Sequence, residues 1–89
     1  MNFEWDERKA ELNRNKHRVS FFEAVEVFSD SLSSTVQDPD HSSGEHRFLM
    51  FGKTLESRYV VVSFTERGGT IRIISARRMT PRERKAYEK

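Results

Sequence analysis

The chain has 89 residues, no cysteine, 34% charged and 35% hydrophobic residues, and a formal net charge of +2. That length holds one domain, residues 1–89, near the small end of what folds without staples. The missing cysteines exclude a disulfide framework and a thiolate zinc site, and seven phenylalanines with one tryptophan argue against disorder. The small total hides a split: Arg67 to Lys89 carries eight basic and two acidic residues, a balance of +6, whereas the rest carries eight basic and twelve acidic, a balance of −4.

In chain order, Asn2 to Trp5 reads as a short edge strand, and Asp6 is an N-cap for a helix running to about Lys16. Asp6, Lys9, Asn13 and Lys16 fall within about 80° on a helical wheel, so four polar groups share one face and only Ala10 and Leu12 are left to bury. His17 ends this helix, where a histidine faces the negative end of the helix dipole, and Arg18 stands at the junction. Ser20 and Glu23 form a capping box for a second helix whose Phe21, Ala24, Val25 and Phe28 line one core-facing stripe.

Ser31 to Val36 is polar enough for an edge strand, and Gln37 to Glu45 is a loop through Asp38-Pro39-Asp40. His46 to Thr54 is apolar on both faces in its middle, the mark of a central strand. The last two strands meet at Gly68-Gly69. A two-residue turn there sets Phe64 opposite Ile73 and Val62 opposite Ser75, so that Val60, Val62, Phe64, Ile71 and Ile73 share a buried face. The other face then carries Tyr59, Ser63, Thr65, Arg72 and Arg78 among Val61, Ile74 and Ala76, with Arg77 on the buried side's end. Thr80, Pro81 and Glu83 start a last helix, which has only Ala86 and Tyr87 to anchor it and is free to dock on a partner. The order is α+β: a short N-terminal strand, two helices, an antiparallel meander and a C-terminal helix.

No run is long enough to span a membrane, and the acidic start Glu4-Trp5-Asp6-Glu7 is unlike a signal peptide, so a cytoplasmic protein without membrane attachment is expected. The three histidines, His17, His41 and His46, are scattered, no Gly-x-Ser-x-Gly elbow is present, and Gly68-Gly69 is a turn rather than a phosphate loop. No metal or cofactor is expected. The arginine-rich tail points to a phosphate-bearing partner, because guanidinium groups grip phosphate with two parallel hydrogen bonds; a solvated charged face fits the charge count equally well. RNA cleavage suits such a chain, since the ribose 2′-hydroxyl supplies the nucleophile and the protein needs only acid–base groups and charge stabilisers. His41, Glu45, Glu66 and Lys16 are candidate acids or bases, and Arg47, Arg72, Arg77 and Arg78 candidate charge stabilisers. Each also has a purely structural use.

Phe3-Glu4-Trp5-Asp6 with Lys9, Asn13, Lys16-His17 and Val19-Ser20-Phe21, then Glu23-Ala24 and Val27-Phe28, resembles the start of the BrnT family. The likeness continues through Asp38-Pro39-Asp40-His41-Ser42, Glu45, Arg47-Phe48, Thr65-Glu66-Arg67-Gly68 and Ile71 to Arg78, and closes on Thr80-Pro81-Arg82-Glu83-Arg84 and Tyr87-Glu88. The resemblance implies a RelE-like ribonuclease fold and a type II toxin that cleaves RNA without metal, inhibits translation and growth, and is neutralised by a DNA-binding BrnA-type antitoxin. DNA would then be met only through that antitoxin. Many members carry Gly after the Lys-His pair, where this chain has Arg18. The expected catalytic set is His41, Glu45, Glu66, Arg72, Arg77 and Arg78, with Lys16, Arg47, Arg67, Arg82 and Arg84 binding RNA. A binding module without catalysis, engaging nucleic acid or antitoxin through the basic tail, is the alternative.

Overall fold

The computed structural model describes residues 1–39 and 46–88. The chain runs β1 (Asn2–Glu4), α1 (Glu7–His17), α2 (Phe21–Val27), β2 (Ser34–Gln37), β3 (Phe48–Lys53), β4 (Tyr59–Arg67), β5 (Thr70–Arg78) and α3 (Pro81–Tyr87). One five-stranded sheet has the order β1-β5-β4-β3-β2, antiparallel throughout except that β1 lies parallel to β5. Helices α1 and α2 pack on one face around Val19, Phe21, Ala24, Val27, Val60, Val62, Phe64, Ile71, Ile73 and Ala76. Phe28, at the end of α2, joins β1 to β4 through edge-on contacts with Phe3 and Phe64. The opposite face bears Leu49, Phe51, Tyr59, Val61, Thr65, Arg72 and Arg77, with α3 over one end.

The three helix starts follow from their caps. Asp6 accepts from the amides of Arg8 and Lys9, and both Ser20–Glu23 and Thr80–Glu83 close as capping boxes. The Gly68-Gly69 turn has φ of 53° and 85°, which only glycine adopts cheaply twice in succession, and it pairs Arg67 with Thr70 as a two-residue hairpin requires.

The hairpin register departs from the sequence reading in one respect. Phe64 does face Ile73, but a bulge at Ile74 lets Ser63 face Ser75, so Val62 meets Ala76 rather than Ser75. Beyond the bulge every side chain on β5 changes face. Ala76 enters the core, Arg77 rather than Arg78 joins the face of Arg72, and Arg78 falls opposite Val60 on the helix-bearing side.

Asn13 fixes the bulged segment. β1 pairs with β5 only as far as Arg72, which leaves the outer edge of β5 bare beyond that point. The buried Asn13 side chain occupies this gap: Nδ2 donates to the Ala76 carbonyl at 2.8 Å, Oδ1 accepts from the Ala76 amide at 3.1 Å, and Nδ2 also donates to the Val19 carbonyl at 2.9 Å. Leu12, expected to be buried, is instead 62% exposed. Leu12 and Asn13 are about 100° apart on the helix, and the one with hydrogen bonds to make is the one turned inward.

Arg18 closes α1 in the left-handed region with φ of 60°, a conformation in which a side chain costs about 1–2 kcal/mol. Gly52 on β3 makes room for the chain leaving α2: a Cβ there would lie 2.8 Å from Val27 Cγ1 and 3.1 Å from Asp30 Oδ2.

Two stability outcomes are expected. Asn13→Ala strands the amide and carbonyl of Ala76, and chemical denaturation should show a loss of about 3 kcal/mol, with Tm lower by roughly 15 °C. Arg18→Gly removes the left-handed penalty, offset in part by glycine's freedom in the unfolded chain, and should raise stability by about 0.5–1 kcal/mol.

Candidate nucleic-acid interface

The sheet face away from α1 and α2 has an open end and a covered end. At the open end, Thr65 on β4 faces Arg72 on β5, and β1 places Glu4 beside Arg72. Arg72 Nη1 donates to Glu4 Oε2 at 2.9 Å. The Thr65 hydroxyl donates to the His46 carbonyl at 2.6 Å, tying the start of β3 to β4. Extending the β3–β4 register by one residue sets Arg47 across from Thr65. Arg47 Nε is buried and has no hydrogen-bond partner among the described residues. A buried guanidinium N–H without an acceptor is unfavourable unless an anion or water completes it. Two arginines thus flank a threonine in one row across three strands.

At the covered end α3 lies across the sheet. Arg77 grips Glu83 with both terminal nitrogens, at 2.8 and 2.9 Å. This bond, helped by the Thr80 amide and opposed by burial, holds the Glu83 carboxyl down at about 2; the same bond raises Arg77. At the far end of the helix, the Tyr87 hydroxyl donates to Asp30 Oδ2, which also accepts from the Lys53 amide at 2.8 Å. Burial first and the Asp30 bond second push Tyr87 up to about 12. Asp30 is lowered: burial works against this, but the Tyr87 hydroxyl and the amides of Leu32 and Lys53 outweigh it. Tyr59 packs edge-on against Tyr87, and the Arg84 guanidinium lies 4.1 Å from the Tyr59 ring centre. The expectation of a loosely held last helix is therefore corrected. Its anchors are polar and aromatic, so a count of aliphatic residues misses them.

The sequence candidates scatter. Arg72 and Arg47 come together at the open end, whereas Arg77 is engaged at the covered end. Arg78 is exposed at the end of β5 and lines a hollow with Arg58, Tyr59 and Arg84. Glu66 and Arg67 are exposed at the hairpin end. Lys16 is on α1 beside Ile74, and Arg82 is on α3 where it faces β2 across a groove. His41 and Glu45 lie outside the described residues. Reasoning from sequence missed Thr65 as a site residue, Glu4 as the partner of Arg72 and Glu83 as that of Arg77. The alternation of β4 had placed Thr65 beside Arg72, but no local signal marked either carboxylate.

This fold and face belong to a class of small α+β ribonucleases that act as toxins. A family profile described as the ribonuclease toxin BrnT of type II toxin–antitoxin systems matches residues 5–83. The chain belongs to the BrnT toxin family, and its partners by class are RNA and an antitoxin protein. Among solved structures, the crystal structure of the Brucella abortus ribonuclease toxin BrnT is similar, with 27% identity and a TM-score of 0.67, covering 90% of this chain and 97% of that one. No match is found among curated proteins. No helix among the described residues is long and apolar enough to cross a membrane.

The anchors of α3 have opposite pH limits. Glu83 is lowered, so its contribution is complete above about pH 4.5, the ordinary value, and is lost as pH falls toward 2. Tyr87 is raised, so its contribution is complete below about pH 10 and is lost as pH rises through about 12. Glu83→Gln keeps the cap but removes the ion pair. Hydrogen exchange of the α3 amides at pH 7 should speed up in this variant and no longer depend on Glu83's ionisation in the acid limb.

Proposed function

We propose that the chain is an endoribonuclease toxin that cuts RNA by metal-independent transesterification in the bacterial cytoplasm. It inhibits translation and growth and is neutralised by a BrnA-type antitoxin, through which alone it meets operator DNA. In the reaction a base removes the proton of a ribose 2′-hydroxyl, the oxygen attacks the adjacent phosphorus, and the 5′-oxygen leaves with a proton from an acid. The products are a 2′,3′-cyclic phosphate and a 5′-hydroxyl.

The observation that carries this reading is the row of Arg47, Thr65 and Arg72 on an open sheet face of a ribonuclease-toxin chain. Arg72 and Arg47 hold the scissile phosphate and stabilise the charge that builds on it, the role for which fixed guanidinium groups are best suited. Glu66, His41 and Glu45 remain the proposed proton carriers. Of the other two expected catalytic arginines, Arg77 is clasped by Glu83 and holds the covered end of the face, and Arg78 lies on the helix-bearing side; Lys16, Arg67, Arg82 and Arg84 guide the strand. In Arg72 the Glu4 carboxylate takes one nitrogen and sets the side chain's direction, leaving the rest of the fork toward the face.

Purified protein incubated with RNA in excess chelator should yield fragments ending in 2′,3′-cyclic phosphate. Arg72→Ala should lower the cleavage rate about 100-fold or more with an unchanged melting temperature. Wild-type rates in both Arg72→Ala and Arg47→Ala would remove the phosphate assignment. Intact RNA at excess wild-type protein would leave only the binding-module reading.

A further inference from the structure

A groove of about 390 Å³ runs between β2 and α3, floored by Val36 and Phe51 and walled by Leu32 on one side and Arg82 and Ala86 on the other. Leu32 is 73% exposed and Val36 46%. The other exposed apolar residues are dispersed: Phe22 packs on Trp5, Leu12 is on α1 and Leu55 is in the turn between β3 and β4. Among the described residues, exposed aliphatic side chains, a sheet edge and a basic helix meet only at this groove. β2 is the last strand of the sheet, all four of its residues are exposed, and one side of its backbone is unpaired within the sheet.

The chemistry of the groove selects its occupant. Aliphatic side chains such as Val36 and Leu32 give a nucleic acid neither stacking surface nor phosphate ligand, but they suit an apolar protein segment. The wall is basic. Glu83, which also lines the groove, is engaged by Arg77, so Arg82 sets the charge of that wall. An apolar segment flanked by carboxylates is complementary to both parts.

We propose that this groove is where the antitoxin docks, through an amphipathic segment with an acidic flank, and that it neutralises by covering one end of the RNA face directly. The inference rests on the toxin–antitoxin reading above. Position supplies the second half of the argument. Val36 pairs with Leu49, and Leu49 with Ser63, so the groove lies on the same sheet face as Thr65 and Arg72. From β2 to β5 is three strand spacings, about 14 Å, and a docked helix is itself about 10–12 Å wide. A helix seated on β2 extends about 5–6 Å to either side, roughly one strand spacing, so it reaches Arg47 at the start of β3 and closes that end of the row while Arg72 stays out of its reach.

The double substitution Leu32→Glu, Val36→Glu tests this, because both side chains are exposed and neither is in the RNA site. The variant should keep its fold by circular dichroism, cleave RNA at the wild-type rate and arrest growth, while binding the antitoxin encoded beside it at least 100-fold more weakly and escaping neutralisation on co-expression. Neutralisation and affinity equal to wild type would overturn the proposal. So would a wild-type homodimer that the substitutions dissolve while antitoxin affinity is unchanged, which would make the groove a self-contact. Antitoxin that binds neither wild type nor variant would remove the toxin–antitoxin reading together with this one.

Discussion

The architecture depends on one side-chain amide. Asn13 stands in for a strand residue along the stretch of β5 that β1 is too short to reach, and it gives the Ala76 amide and carbonyl the partners a neighbouring strand would have supplied. Without it a buried peptide unit would be left with neither water nor partner, which folded chains rarely tolerate. The same amide holds the Val19 carbonyl, so the turn between α1 and α2 is tied to the sheet edge. Because Ala76 is held against α1, the bulge at Ile74 is fixed in place, and the bulge decides which arginine shares a face with Arg72. A contact on the helical side thus sets the composition of the RNA side.

What could be read from sequence and what could not divide along the range of the interactions. The Gly68-Gly69 turn, the two capping boxes and the two-sided apolar character of β3 are written in adjacent residues, and each appears in the fold. The bulge is not, because Ile73 and Ile74 are both apolar and alternation gives no sign of which one is extra. Asn13 read as part of a polar stripe for the same reason: its partner Ala76 is 63 residues away. The tail's basic character was legible as a phosphate signal, yet its division into an open pair, a clasped arginine and helix-borne cations depends on Glu4, Glu83 and the bulge, which only the fold brings into place.

The last helix shows how few aliphatic contacts a short element needs when its polar ends are well placed. Glu83 caps the helix on Thr80 and grips Arg77 at once, so the end of β5 and the start of α3 form one rigid corner. Tyr87 reaches Asp30, whose carboxylate also gathers the Lys53 and Leu32 amides, and the absence of a Cβ at Gly52 is what lets that carboxylate come so close. The +6 of the tail is therefore not all available to a ligand. Arg77 is spent on Glu83, and Arg84 is shared between Glu88 and the Tyr59 ring.

That accounting ranks the arginines for phosphate chemistry. A guanidinium binds phosphate best through two parallel N–H groups, and in Arg77 both terminal nitrogens already point at a carboxylate that is ionised throughout the physiological range. Displacing it would uncover Glu83 beside an incoming anion and loosen α3 in the same step. Arg72 gives one nitrogen to an exposed Glu4, and the buried Nε–H of Arg47 has no acceptor among the described residues. An anion arriving between these two gains hydrogen bonds without breaking the corner that holds the sheet face in shape. Catalysis requires a fixed frame around charge that changes, and the proposed site supplies it by separating the roles: Arg77 holds the frame, while Arg72 and Arg47 are left to meet a phosphate.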